Sequence, residues 1–211
     1  MNNSIGTVVF DVGNVLLDWD PRHLYRKLIP DAGQMEAFLA EICTPAWNMQ
    51  QDLGRSWKTA TDSLIGTHPD KAALIRAFDE RWEETVAGPI AGSVALLQSL
   101  SAGSVPLYAI TNFSAEKFPL VTRQYDFFGC FQDIVVSGTE KVIKPGPEIY
   151  SIFFERSGRR PETCLFIDDS PANVAGARAA GMAAHHFTNP QNLRAELEAL
   201  GLPVGRKEPA G

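Results

Sequence analysis

The sequence predicts an α/β protein: a doubly wound parallel sheet, interrupted early by an inserted block of helices. Two observations predict the sheet. Short apolar, β-branched runs alternate with stretches of helical periodicity, and several of these runs end on polar residues. A third predicts the insert. The alternation stops after the first run and resumes about seventy residues later, and the interval reads as helix throughout.

The first run, IGTVVFDV (5–12), ends at an acidic residue and a glycine and reads as a buried strand meeting a loop. VPLYAITN (105–112), DIVVSG (133–138), ETCLFIDD (162–169) and MAAHHF (182–187) read the same way. Between them, VALLQSL (94–100) places Val94, Leu97 and Leu100 on one side. PEIYSIFFERSG (147–158) carries Ile149, Ile152 and Phe153 at helical spacing and stops at Gly158. Ser170 is an expected N-cap, with Pro171 at the first helical position. Leu193, Leu197 and Leu200 mark a last helix.

Residues 19–88 read as helices over HLYRKLI, QMEAFLAEI, WKTATDSLIG and KAALIRAFDERWEETV. All four tryptophans, Trp19, Trp47, Trp57 and Trp82, lie in this stretch or at its edge. The expected organisation is therefore a core of residues 1–18 and 89–202, a helical cap of 19–88, and a loose tail at 203–211.

Composition narrows the function classes. The chain has 211 residues, 45% hydrophobic and 21% charged, an ordinary globular balance. Its net charge of -6 argues against general nucleic-acid binding, which needs a basic face. Cys43, Cys130 and Cys164 are far apart, with no CxxC pair, so neither a zinc nor a disulfide framework is expected. The N-terminal apolar run is too short for a signal peptide or a membrane span. A cytoplasmic protein without membrane or nucleic-acid partners, monomeric or homodimeric, is the expectation.

Ligands of doubly wound sheets bind at the carboxyl ends of the strands. Three strand ends are polar here: Asp11, Thr111–Asn112 and Asp168–Asp169. Taken singly, each has a bland reading as a turn or helix cap, and Lys144 as a solvated lysine. Four segments nevertheless follow one another in order: FDVGNVL (10–16), AITN (109–112), VIKPGPEIY (142–150) and FIDDSPANVAGA (166–177). In these the chain resembles the haloacid dehalogenase-like (HAD) hydrolases. The likeness is to a subfamily IA-like phosphatase with a DxGN first motif and an α-helical C1-type cap on a Rossmann-like core.

The resemblance implies a site that also makes physical sense. Asp11 would attack phosphorus and form an aspartyl-phosphate, splitting hydrolysis into two displacements. Repulsion between carboxylate and phosphate calls for a hard cation, Mg²⁺. Asp11, the backbone carbonyl of Gly13 and Asp169 match the metal-ligand positions, with Asp168 beside them. Thr111 and the backbone N–H of Asn112 would bind the phosphoryl oxygens. Lys144 would hold the nucleophile and supply positive charge. Asn173 stands where many members have a further aspartate and would orient Lys144 or the acid pair by hydrogen bonding.

One departure stands out. Many such phosphatases have a second aspartate two residues after the nucleophile, acting as general acid and base; here that position is Gly13. General acid–base catalysis is worth about 10²–10⁴-fold. Three explanations compete. The substrate has a good leaving group, such as an anomeric sugar phosphate. The cap delivers another acid, with His23, Asp18 or Asp52 as candidates. Or the chain is a metal-independent 2-haloacid dehalogenase using the same Asp11. The Asp168–Asp169 pair favours a cation site and hence a phosphatase acting on a small phosphorylated molecule. A catalytically weak binding protein on the same fold is a further alternative. Within the cap, Trp47, Asn48 and Arg55 are candidate specificity residues. The competing structural reading puts Trp47 and Trp57 in the cap core, with Arg55 pairing to Asp52.

Overall fold

The computed structural model describes residues 4–205. The chain enters through β1 (Thr7–Phe10), whose residues are all buried, and continues into β2 (Leu17–Trp19). Five helices follow: α1 (Arg22–Tyr25), α2 (Ala32–Glu41), α3 (Pro45–Asp52), α4 (Trp57–Thr67) and α5 (Ala72–Glu80). The chain returns through β3 (Val86–Pro89), which pairs antiparallel with β2. Helices and strands then alternate through α6 (Ala91–Ala102), β4 (Leu107–Thr111), α7 (Phe118–Gln124), β5 (Asp133–Val136), α8 (Ser137–Glu140) and α9 (Pro147–Ser157). The last elements are β6 (Cys164–Asp168), α10 (Pro171–Ala179), β7 (Ala183–His186) and α11 (Pro190–Ala199).

The main sheet has the order β5-β4-β1-β6-β7, and every pairing in it is parallel. Side chains alternate between its faces, as strand geometry requires. Val8, Phe10, Leu165 and Ile167 join one core cluster with Leu96, Leu97, Leu193 and Leu197. Val9, Ile110 and Phe166 join the other with Ile149, Tyr150 and Phe153. Burial on both faces explains why these strands read as continuous apolar runs rather than alternating ones. Burying one such side chain fully is worth about 1.5–3 kcal/mol. The expected doubly wound sheet is therefore present, with β1 at its centre.

Aromatic rings of residues 19–88 pack on one another and join the same core cluster as Val8 and Phe10. The Tyr25 ring lies 4.9 Å from that of Phe38, and Trp57 lies 5.3 Å from Phe78 and 5.7 Å from Trp47. Three details differ from expectation. The helix expected over 23–29 is a single turn at α1, because Pro30 follows and Asp31 caps α2 by accepting from the Gln34 N–H. The helix expected over 71–86 breaks at Arg81 into the turn Trp82–Thr85, where the Thr85 hydroxyl bonds the Trp82 carbonyl at 2.6 Å. Helix α3 was not expected at all. Its signal was present, since Thr44 accepts from the Trp47 N–H at 3.0 Å and Pro45 opens the helix.

Ser170 occupies the N-cap position of α10, but its side chain makes no capping bond. Asp168 Oδ1 instead accepts the Ser170 N–H at 2.8 Å, so the strand-end carboxylate does the capping. At the C-terminus, Pro203 packs on Gly103 and Arg194 donates to the Gly205 carbonyl at 2.7 Å. The remainder of the expected tail, 206–211, lies outside the described residues. Among the described residues no helix is long and apolar enough to cross a membrane.

Candidate active site

Parallel strands bring β1, β4 and β6 out of the sheet at one edge. That edge gathers Asp11, Thr111 and Asp168, which are far apart in sequence. Lys144 reaches the same point from the loop before α9, where it is buried. Its Nζ lies 2.8 Å from Asp11 Oδ1, 2.7 Å from Asp168 Oδ2 and 3.0 Å from the Ile110 carbonyl. An ammonium has three donors, and here each has an acceptor. Burial opposes its charge, but Asp11 and Asp168 outweigh that and hold its pKa above the ordinary lysine value.

Asp11 follows the last residue of β1, with its N–H bonded to the Ile167 carbonyl at 2.8 Å. Its Oδ1 takes the Val12 N–H at 2.7 Å as well as Lys144, and Oδ2 carries none of these bonds. One oxygen therefore orients the carboxylate while the other is left to react. Burial pushes the Asp11 carboxyl above the ordinary range; Lys144 pulls it back, and Asp168 and Asp169 add to the rise. Asp169 is raised too, by burial first and then by Asp168. Asp11, Asp168 and Asp169 offer oxygens all within 4.8 Å of one another. With one lysine among three carboxylates, the site carries excess negative charge that a cation would offset.

Asn173 Nδ2 donates to both oxygens of Asp168, at 3.0 and 3.1 Å, so it orients the acid pair rather than Lys144. The Asn112 side chain clamps the lysine loop, donating to the Lys144 carbonyl at 3.1 Å and accepting its N–H at 2.9 Å. Thr111 Oγ1 is buried at the end of β4 without a hydrogen-bond partner. Buried hydroxyls are rarely left so, and a ligand oxygen would complete it.

Above this edge lies a cavity of about 70 Å³. Gly13 and Asn112 line its core side, and Asn48 and Asp52 line it from α3. The rings of Trp19, Trp82 and Phe113 form most of the rest. Of the candidate cap residues, Asn48 thus reaches the cavity. Trp47 packs in the cap core against Trp57 and Phe78, and Arg55 folds back onto Gln51 Oε1 at 2.8 Å and the Trp47 carbonyl at 3.0 Å. The alternative pairing of Arg55 with Asp52 is not formed, because Gln51 and Trp47 take the guanidinium. His23 and Asp18 bond each other at 3.1 Å and are not among the lining residues. Sequence reasoning missed Trp19, Trp82, Phe113 and Ser114 as cavity residues, since nothing in their spacing separates a cavity ring from a core ring.

Known proteins resemble this chain in sequence and in fold. A family model described as haloacid dehalogenase-like hydrolase matches residues 5–181. The sesquiterpene phosphatase astK of Aspergillus oryzae is 25% identical over 200 residues, covering 95% of this chain and 98% of that protein. Fructose-1-phosphate phosphatase YqaB of Escherichia coli is 24% identical over 185 residues, covering 83% and 92%. Among solved structures, the HAD family enzyme bt-2542 of Bacteroides thetaiotaomicron, in complex with magnesium and inorganic phosphate, has the same fold. Its TM-score is 0.67 at 23% identity, covering 88% of this chain and 95% of that one.

Proposed function

The chain belongs to the haloacid dehalogenase-like hydrolases, and from that premise we propose that it is a magnesium-dependent phosphatase of small phosphomonoesters, working through an aspartyl-phosphate on Asp11. The observation that carries the reading is the arrangement of Asp11. One of its oxygens is fixed by Lys144 and the Val12 N–H, the other is free, and two further carboxylates stand beside it. Phosphatase names among full-length relatives support the same reaction.

Asp11 Oδ2 attacks phosphorus and the ester P–O bond breaks. Thr111 Oγ1 donates its unused hydrogen bond to a phosphoryl oxygen, and the Asn112 N–H donates a second. Lys144 keeps Asp11 in place and offsets charge as the transition state forms. Water then attacks the aspartyl-phosphate and releases inorganic phosphate. The donor set fits magnesium, since Asp11, Asp169 and the Gly13 carbonyl are all hard oxygen ligands, with Asp168 beside them. Bound there, the ion would neutralise the repulsion between nucleophile and phosphate.

The domain reading goes with this function. Residues 1–18 and 89–202 carry the phosphate chemistry, and 19–88 close over the substrate. A metal-free dehalogenase would gain nothing from Asp169, whose charge adds to the burial cost at Asp11. Sugar phosphates and other alkyl phosphates belong in the assay panel.

The test is phosphate release from that panel with Mg²⁺ and with EDTA, for the wild type and Asp11→Asn. We expect both chelation and the substitution to abolish turnover, by ~10³-fold or more. Activity that survives either one overturns the mechanism. Halide release from 2-haloacids without metal would put the dehalogenase in its place.

A further inference from the structure

The phosphatase reading leaves one proton unaccounted for. When the ester bond breaks, the leaving oxygen must be protonated, and Gly13 has no side chain to do it. Space is not the reason for this glycine, because a Cβ built there meets nothing within 4 Å.

We propose that Asp52, delivered by the cap, is the general acid and base of the reaction, doing from above what Gly13 cannot do from below. This rests on the phosphatase reading. Asp52 and Gly13 line the same cavity, and Asp52 is the one ionisable residue among those that line it. Its carboxyl accepts from Asn48 Nδ2 at 3.2 Å. Its backbone carbonyl accepts from the Ser137 hydroxyl at 2.6 Å, which ties the end of α3 to the core.

Asp52 also differs from Asp11 and Asp168 in having no cation beside it. The charged residues on the segments packed against it are Arg55, Glu116, Glu140 and Lys141. Arg55 turns to Gln51 and Trp47, Glu116 accepts from the Trp57 N–H, Glu140 pairs with Arg156, and Lys141 makes no ion pair with it. Although Asp52 is half-buried, desolvation pushes its carboxyl up to about 7, so it is available both to give and to take a proton near neutral pH.

The step balances. Asp11 forms a bond to phosphorus, the ester P–O bond breaks, and the leaving oxygen takes the proton of Asp52 to become an alcohol. In the second half, water gives a proton back to the Asp52 carboxylate as its oxygen bonds phosphorus. The bond between Asp11 and phosphorus breaks, which frees the Asp11 carboxylate and releases inorganic phosphate.

The experiment compares Asp52→Asn with the wild type on two Mg²⁺-supported substrates. One is p-nitrophenyl phosphate, whose leaving group needs little protonation. The other is the alkyl phosphate the wild type hydrolyses fastest. We expect kcat/KM to fall about 10²-fold or more on the alkyl phosphate and at least tenfold less on the aryl one. With the aryl substrate, a burst of p-nitrophenolate near one per active site should precede slow turnover, because hydrolysis of the aspartyl-phosphate has lost its base. Gly13→Asp added to Asp52→Asn should restore part of the alkyl activity. Equal losses on both substrates without a burst, or no loss on either, overturn the proposal. If Asp52→Asn does not fold, the wild type decides: protonated departure predicts a shallow dependence of kcat/KM on leaving-group pKa, and a steep one overturns the role. Failure of the underlying reading is distinct, because it shows as activity in Asp11→Asn.

Discussion

The two walls of the cavity are built by different means. The core wall is Gly13 and Asn112, and beneath it lie strand ends. Asp11, Thr111 and Asp168 each sit at or just past the C-terminal end of a parallel strand, and Lys144 is locked among them by three acceptors. The cap wall consists of a helix end docked onto loops. Asp52 is held through Asn48 and Ser137, and the neighbouring Trp57 donates from Nε1 to Ser114 Oγ at 3.0 Å. The core wall stands over fixed charges, and the cap wall is aromatic with one acid whose carboxyl burial raises. The contrast suits a phosphatase in which the phosphate is common to all substrates and the rest of the molecule varies.

The largest break in this contrast should come from Lys144→Met. Removing one member of a buried charged set leaves the others uncompensated, at a cost of about 3–5 kcal/mol. Urea unfolding should report that loss, and phosphate release should fall by roughly 10²–10³-fold. Stability unchanged to within measurement error would mean that the core wall does not depend on the ammonium.

Next comes the seam between the walls. A Cβ at Gly138 would stand 2.5 Å from the Ala115 nitrogen and 2.7 Å from the Phe113 carbonyl oxygen, both backbone. Gly138→Ala must move the loop that carries Ser114. A destabilisation of about 1–3 kcal/mol is expected, together with lower kcat/KM. A variant as stable and as active as the wild type would show that the seam is loose.

A smaller, pH-dependent effect should belong to the cap wall. Between an ordinary value of 3.8 and about 7, the folded chain keeps the Asp52 proton that the unfolded chain has released. The folded state then binds more protons, so stability falls as pH rises through that window. Asp52→Asn removes this contribution. Its Tm relative to the wild type should therefore be higher at pH 8 than at pH 4; a difference independent of pH would contradict the raised carboxyl.

The smallest effect is expected from Ser137→Ala. The hydroxyl accepts the Phe113 N–H at 2.9 Å and donates to Asp52 at 2.6 Å, and its loss should cost about 1–2 kcal/mol. KM for an alkyl phosphate should rise several-fold while the Tm gain on adding Mg²⁺ stays the same, since the three carboxylates are untouched. A changed response to Mg²⁺ would join the two walls into one unit.

Much of the core was legible in the sequence. Continuous apolar runs with polar ends place Asp11, Thr111 and Asp168 at strand ends, and parallel pairing puts those ends at one edge of the sheet. That argument needs no side-chain contact. Asn173 was readable only through the family resemblance, and it lies in the first turn of the helix that follows the acid pair. The cap was legible only as helices. Even there, the Thr44–Pro45 start of α3 is a local N-cap signal.

The sequence by itself thus determined the sheet, because strands and helices are written in local periodicity, while the charged centre was legible through the four ordered segments that resemble the family. Tertiary structure alone decided that Asp52 rather than His23 or Asp18 lines the cavity, that Arg55 turns away, and that Asn48 turns in. The physical reason is separation. The bonds that dock the cap span 57 residues from Trp57 to Ser114 and 85 from Asp52 to Ser137, and no local pattern encodes which distant loop a helix end will meet.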